Sequence, residues 1–253
     1  MRADSHGIQA RKGGILEDNI FYQNPMSIMM GNEGGQTYET PVYGTIKRNV
    51  ILEGIDINPE LPRGDGIVIQ HTAQIEGRNL NEPSSAYGIS IDGPSSAPVR
   101  NALIANNIVH DWDLPFRVRE NAVSVIFRDN ILTNSDDDKH LIKHRDADTI
   151  NAVTYSGNRY LRAGDQDWFQ VGSTDLSLPE WSSDHADGSQ LLSSPFVDET
   201  RTFDSYARSI GLSGAPELIE AMRSLRKGDW DERLTAEAIA QYFREGFTLT
   251  DSN

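Results

Sequence analysis

One pattern of apolar and polar positions recurs along the chain: an apolar residue, two mostly polar residues, Asn, then usually two apolar residues. It runs Leu16-Glu17-Asp18-Asn19-Ile20-Phe21, Ile46-Lys47-Arg48-Asn49-Val50-Ile51, Ile104-Ala105-Asn106-Asn107-Ile108-Val109 and Phe127-Arg128-Asp129-Asn130-Ile131-Leu132. A further copy, Tyr155-Ser156-Gly157-Asn158-Arg159-Tyr160, is weaker after its Asn, and a degenerate one at Ile75-Glu76-Gly77-Arg78 carries Arg in place of Asn. Successive copies lie about 23 to 30 residues apart, a period that marks a solenoid with one supersecondary unit per turn. The spacing varies too much for leucine-rich or ankyrin repeats. Short apolar runs broken by Asn and Gly indicate strands and turns rather than helices.

Each copy is followed by a second short run in which small or apolar residues mostly alternate with polar ones. These are Met26–Met30, Gly66–Gln70, Gly88–Asp92, Phe116–Arg119, Leu141–His144 and Phe169–Gly172, with Gly7–Arg11 ahead of the first copy. A period of two describes a strand with one buried face. Asn at one position of each coil suits a tight turn, because it tolerates left-handed backbone angles. Stacked amides can also satisfy one another in the interior. About six coils are predicted over residues 1–175.

The pattern stops after residue 173. Leu176 to Pro195 is rich in Ser and Asp and reads as irregular, with Trp181 as an anchor. Helical signals follow. Thr202-Phe203-Asp204 opens one short helix. Ala215-Pro216-Glu217 opens a second, with Arg223, Arg226 and Lys227 near its end, as the helix dipole prefers. Thr235-Ala236-Glu237 opens a third that Gly246 stops. Residues 176–253 are therefore expected to form an irregular segment and a helical C-terminal cap, since the end of a solenoid needs cover.

The repeat over residues 6 to 173 resembles the right-handed parallel β-helix of the pectate-lyase-like superfamily. The resemblance implies an all-β, right-handed parallel β-helix solenoid with a short α-helical cap. It also implies work on carbohydrate outside the cytoplasm, extracellular or periplasmic, without choosing a chemistry. That superfamily holds lyases, polygalacturonases, uronate epimerases, tailspike hydrolases and non-catalytic adhesins.

Charge and composition narrow this further. Apolar residues make up 37% of the chain, low for a compact α/β globule, and the formal net charge is -15. Such acidity argues against nucleic acid and anionic membranes as partners. The absence of cysteine excludes disulfides and thiolate zinc sites. No apolar run reaches the roughly 20 residues of a membrane span. The first residues, Met1 to His6, contain no signal-peptide core. The first coil starts in mid-turn at His6, so further coils are expected ahead of it. The chain is expected to be a monomer.

Candidate chemistry lies on the outer face of the second strands. If Ile67, Ile69, Ile89, Ile91, Phe116 and Val118 point inward, then Val68, Gln70, Ser90, Asp92, Arg117 and Arg119 form an outward column. Gln9 and Arg11 extend it at one end and Gln170 at the other. The register of Leu141–His144 is ambiguous: burying Lys143 is costly, which turns it outward and His144 inward unless a bulge intervenes. A guanidinium fork suits a uronate carboxylate. Arg117 and Arg119 are thus candidate catalytic residues with Lys143 and His144, the base being Lys143, His144 or an unprotonated Arg, with the Lys139–Arg145 segment one coil later as the source of a base that reaches the sugar ring. Gln70, Ser90, Asp92 and Gln170 are candidate substrate contacts. His110 and Trp112, in a turn before the Arg117 strand, are expected to build one groove wall.

No cofactor is implied except Ca²⁺, for which Asp136 and Asp138 of the Asp136-Asp137-Asp138 run are candidate ligands. Asp92 as the one carboxylate of the column counts against a two-carboxylate glycosidase. Two functions remain: a polysaccharide lyase or uronate epimerase acting on an acidic glycan, and a non-catalytic glycan-binding or surface structural module.

Overall fold

The structure, a computed structural model, describes residues 7–10, 14–31, 44–52, 65–69, 73–76, 79–81, 84–93, 98–134, 136–164, 167–185, 188, 190–191, 198 and 200–246. Gln70, His71, Arg78 and Arg11 lie outside these residues. The chain winds as a parallel β-solenoid, and among the described residues three sheets, of eight, six and seven strands, are visited in turn by successive segments. In the first sheet Ile8–Ala10, Met26–Met30, Asp65–Ile69, Ser84–Asp92, Trp112–Glu120, Ile142–His144 and Phe169–Val171 stack in parallel. Thr174–Leu176 then returns antiparallel on the last of them. The second sheet runs from Gly14–Glu17 to Val153–Ser156, and the third from Ile20–Tyr22 to Gln190–Leu191.

The interior is built by register. Ile28, Ile67, Ile89, Phe116, Ile142 and Phe169 are aligned across the first sheet and fully buried. Burying one such side chain contributes roughly 1.5–3 kcal/mol, so the ladder is a major source of stability. Toward the C-terminal end the ladders turn aromatic. Phe116 stacks on Phe127 at 4.3 Å, and Phe127 meets Tyr155 at 5.5 Å.

The recurring Asn residues occupy equivalent corners. Asn49, Asn107, Asn130 and Asn158 are buried, and the amide oxygens of Asn49, Asn130 and Asn158 each accept from the Asn one coil before. Asn130 Oδ1 takes the backbone N–H of Asn107 at 3.0 Å and its Nδ2 at 2.8 Å, and Asn158 Oδ1 takes the same two groups of Asn130. Asn49 receives Asn19 likewise. The left-handed residue is not this Asn but the one before it: Asp18, Arg48, Asn106, Asp129 and Gly157 have φ of 51 to 64°. The ladder Asn is there for its amide, and its neighbour makes the bend.

Five helices are present among the described residues. α1 (Ala147–Asn151) interrupts a coil and is started by Asp146, whose side chain accepts the N–H of Thr149. α2 (Leu178–His185) falls in the stretch expected to be irregular. Its Trp181 is fully buried and stacks on Phe169 at 4.4 Å, which extends the interior ladder past the last coil. α3 (Phe203–Ser209), α4 (Ala215–Ser224) and α5 (Ala236–Glu245) begin where Thr202, Pro216 and Thr235 indicate. They pack against the outward residues Val50, Leu52, Ile108 and Ile131 of the third sheet, through Phe203, Leu218, Ile239 and Phe243. Among the described residues no helix is long and apolar enough to cross a membrane.

Candidate functional site

The outward face of the first sheet carries the register column Ser90, Arg117, Lys143, Gln170. Strand spacing puts neighbours about 4.8 Å apart. Above Ile91 the register slips: Asp92 lies opposite Glu120, not Arg119. The bulge leaves Arg119 beside Asp92, with Nη1 donating to the carboxylate at 3.2 Å. Ser90 is fully buried, and its Oγ accepts from Arg117 Nε at 2.7 Å. Arg117 also lies over the Tyr87 ring, 3.4 Å from its centroid. Ring and hydroxyl together hold the guanidinium plane in one orientation, which a Lys at this position would not share.

A groove of 540 Å³ opens beside this column. Arg117, Arg119, Lys139, Lys143 and Arg145 line it with His140, against two lining carboxylates, Asp113 and Asp138. The excess of cations stands out in a chain of net charge -15. Several cations are held by carboxylates: Lys139 by Asp113 at 2.7 Å and Arg145 by Glu120 at 2.9 Å. The hydrogen bond and charge of Asp113 keep the Lys139 ammonium above the ordinary lysine range. His140 Nε2 meets Asp175 Oδ1 at 3.0 Å, and Gln170 Nε2 donates to the same oxygen at 2.7 Å.

The arrangement separates the candidates read from sequence. Arg117, Arg119, Lys143, Ser90, Asp92 and Gln170 share the face. His144 does not. It is fully buried in the interior, with Nε2 2.6 Å from the Tyr155 hydroxyl. Burial first, and the nearby His185 second, lower its pKa to about 3. No bulge rescues it: Lys143 and His144 pair straight with Arg117 and Val118. Trp112 is fully buried in the core, so its ring cannot stack on a ligand. His110 closes a strand of the third sheet, buried, with Nδ1 2.7 Å from Thr133 Oγ1. The run His110 to Asp113 is not a turn: Asp111 alone makes the corner, at φ 55°, and the strand of the first sheet begins at Trp112. Of these four residues, Asp113 lines the groove.

Sequence reading passed over Tyr87 and Asp175 as site residues. Asp175 had no available signal, since it follows the last repeat. It is brought back by a hairpin whose two-residue loop starts at Gly172, φ 63°, a backbone angle that favours glycine. Asp136, Asp137 and Asp138 are exposed, with ligand oxygens within 4.8 Å of one another. Ca²⁺ takes six to eight oxygens, and Asp136 Oδ1 already accepts the N–H of Asp138. The turn is not assigned as a metal site.

A larger groove of 1210 Å³ runs between the strand Ile20–Tyr22 and α4 and α5, lined by Ile219, Met222, Leu225 and Trp230. Its arginines pair with neighbouring carboxylates, Arg48 with Asp18 and Arg223 with Glu220. Groups able to bind an anion and exchange protons therefore gather in the smaller groove. No family model, curated protein or solved structure matches the chain.

Proposed function

We propose that this protein is a carbohydrate-active, right-handed parallel β-helix of the pectate-lyase-like kind, acting outside the cytoplasm. In this reading residues 176–253 cap and brace the coils, and the groove on the first sheet receives an acidic polysaccharide. The observation that carries it is the column Arg117, Lys143 with Arg119 alongside, cations gathered on one face of an acidic molecule. Arg117 and Arg119 bind a uronate carboxylate, and their charge favours the carbanion-like state formed as the C5 proton leaves. Lys143 exchanges a proton with the sugar. The outcome is β-elimination, a lyase, or return of the proton to the other face, an epimerase. The reading calls for no cofactor.

Incubation with polygalacturonate, alginate and glycosaminoglycans, followed by ultraviolet absorbance, reads the unsaturated product. Deuterium uptake at C5 from heavy water reads epimerisation. Absence of both with every uronate polymer removes the enzyme. Arg117→Lys keeps the charge but loses the fork and the Tyr87 and Ser90 contacts, so oligouronate binding should weaken about tenfold, the scale of one charge-assisted hydrogen bond.

A second reading, a glycan-binding module without turnover, is favoured by the carboxylates that already hold Arg119, Lys139 and Arg145. Saturable binding to the same polymers with neither product nor deuterium uptake would select it.

A further inference from the structure

We infer that His140 is the base of the groove and that Asp175 sets its tautomer. The inference rests on the enzyme reading above and deepens it. His140 lines the same groove as Arg117 and Lys143 and is partly open to solvent, its side chain 25% exposed. Its Nε2 lies 3.0 Å from Asp175 Oδ1. A carboxylate accepts and does not donate, so the neutral imidazole carries its proton on Nε2 and Nδ1 keeps its lone pair. Asp175 is itself fixed on two sides: its strand pairs antiparallel with Phe169–Val171, and Gln170 Nε2 donates to the same oxygen. A base oriented by a carboxylate that is oriented in turn is the usual construction of a proton-transfer site. His144, four residues on, cannot serve, because it is buried in the core.

The step balances within the groove. Nδ1 of His140 takes the C5 proton of a uronate held by Arg117. The C5–H electron pair forms the C4–C5 double bond, the C4–O4 bond breaks, and O4 receives a proton from the Lys143 ammonium. Exchange with water then returns the proton from His140 and restores Lys143. Asp175 acts through His140 and is a positioning residue.

The test uses the full chain with polygalacturonate and alginate. His140→Gln should lower kcat at least about 100-fold, the usual size of a general-base contribution, with oligouronate binding within about twofold of the parent. Asp175→Asn should lower kcat about tenfold at unchanged KM. In ¹⁵N-resolved imidazole spectra His140 of the parent should show the Nε2–H form, and Asp175→Asn should mix the two tautomers. A parent that turns over substrate while His140→Gln keeps its kcat overturns this assignment and leaves the proposed function standing. An Nδ1–H tautomer in the parent also overturns it. A parent that binds but never turns over substrate overturns it in favour of the binding module. A parent that neither binds nor turns over any uronate polymer removes the proposed function and this inference together.

Discussion

Asn107, Asn130 and Asn158 make a run of buried amides in which each group has a partner one coil away. Asn130 Nδ2 also donates to the Ile104 carbonyl, and Asn158 Nδ2 to that of Phe127. Replacing Asn107 by Leu removes the side-chain link and leaves Asn130 Oδ1 with the backbone N–H at position 107 as its donor from that coil. The expected loss is about 0.5–1.5 kcal/mol, the net worth of one hydrogen bond, measured as a shift in urea midpoint; an unchanged midpoint would show that the side-chain ladder contributes nothing. His144 gives a pH dependence of known sign. Its folded pKa of about 3 lies below the ordinary 6.5. Between those values the unfolded chain binds a proton that the folded chain refuses. Stability is therefore unaffected by this group above pH 6.5 and falls as pH drops below it, by about 1.4 kcal/mol per pH unit. Comparing urea midpoints at pH 7 and pH 4.5 for the parent and His144→Phe checks this, since the variant should lose less on acidification.

At the scale of elements, the coil depends on how one residue bends between two strands. Asp18, Arg48, Asn106 and Asp129 do so in left-handed geometry, and Gly157 does so with no side chain to strain. The strands around these corners were legible because a period-two pattern with one buried face survives in only three to five residues. The short helices were not. α1 spans Ala147–Asn151, too few residues for a helical period to show, and Asp146 as its cap reads equally as a turn. α2 is masked by the Ser and Asp around it, and only Trp181 marked it. That side chain is fully buried among Phe169, Tyr155 and His144. Trp181→Ala should cost about 3–5 kcal/mol, as for other buried large-to-small changes of an aromatic residue. Thermal unfolding followed by near-ultraviolet circular dichroism reads both the loss and the unpacking of the aromatic end.

At the scale of the whole molecule, net charge and groove charge have opposite signs. An acidic polymer is repelled by a body of charge -15 and attracted by the five cations lining one groove. Salt screens both fields over about 10 Å at 0.1 M. The long-range repulsion reaches further and is screened first, while contacts inside the groove persist. Oligouronate affinity should therefore change little or rise from about 10 to 100 mM salt, then fall several-fold toward 0.5 M, where screening reaches contact distances. Titration calorimetry across that range checks the shape, and a steady fall from the lowest salt would mean that the body charge is not felt. The helices matter at this scale as well. α3 to α5 cover the outward apolar residues of the third sheet, while the groove forms on the first sheet.

What the sequence determined by itself is whatever repeats. The apolar-x-x-Asn motif carried the stacking, the period-two runs carried the strands, and one-face alternation put Arg117 and Lys143 on the outside and in one column. These features depend on residues close in sequence, so local pattern suffices. Tertiary structure decided what depends on residues distant in sequence or on a single slip of register. A bulge at Asp92 placed Arg119 against it. A hairpin beyond the repeat carried Asp175 back to His140, 35 residues away. Trp112 lies inside because its strand starts directly after the corner at Asp111 and alternates inward through Leu114, Phe116 and Val118, and His144 lies inside because no bulge interrupts the pairing of Lys143 with Arg117. A solenoid repeats its backbone from coil to coil, but a site on its surface is made from side chains of different coils. Their approach is set by register and by what folds back over the end, and no local pattern records either.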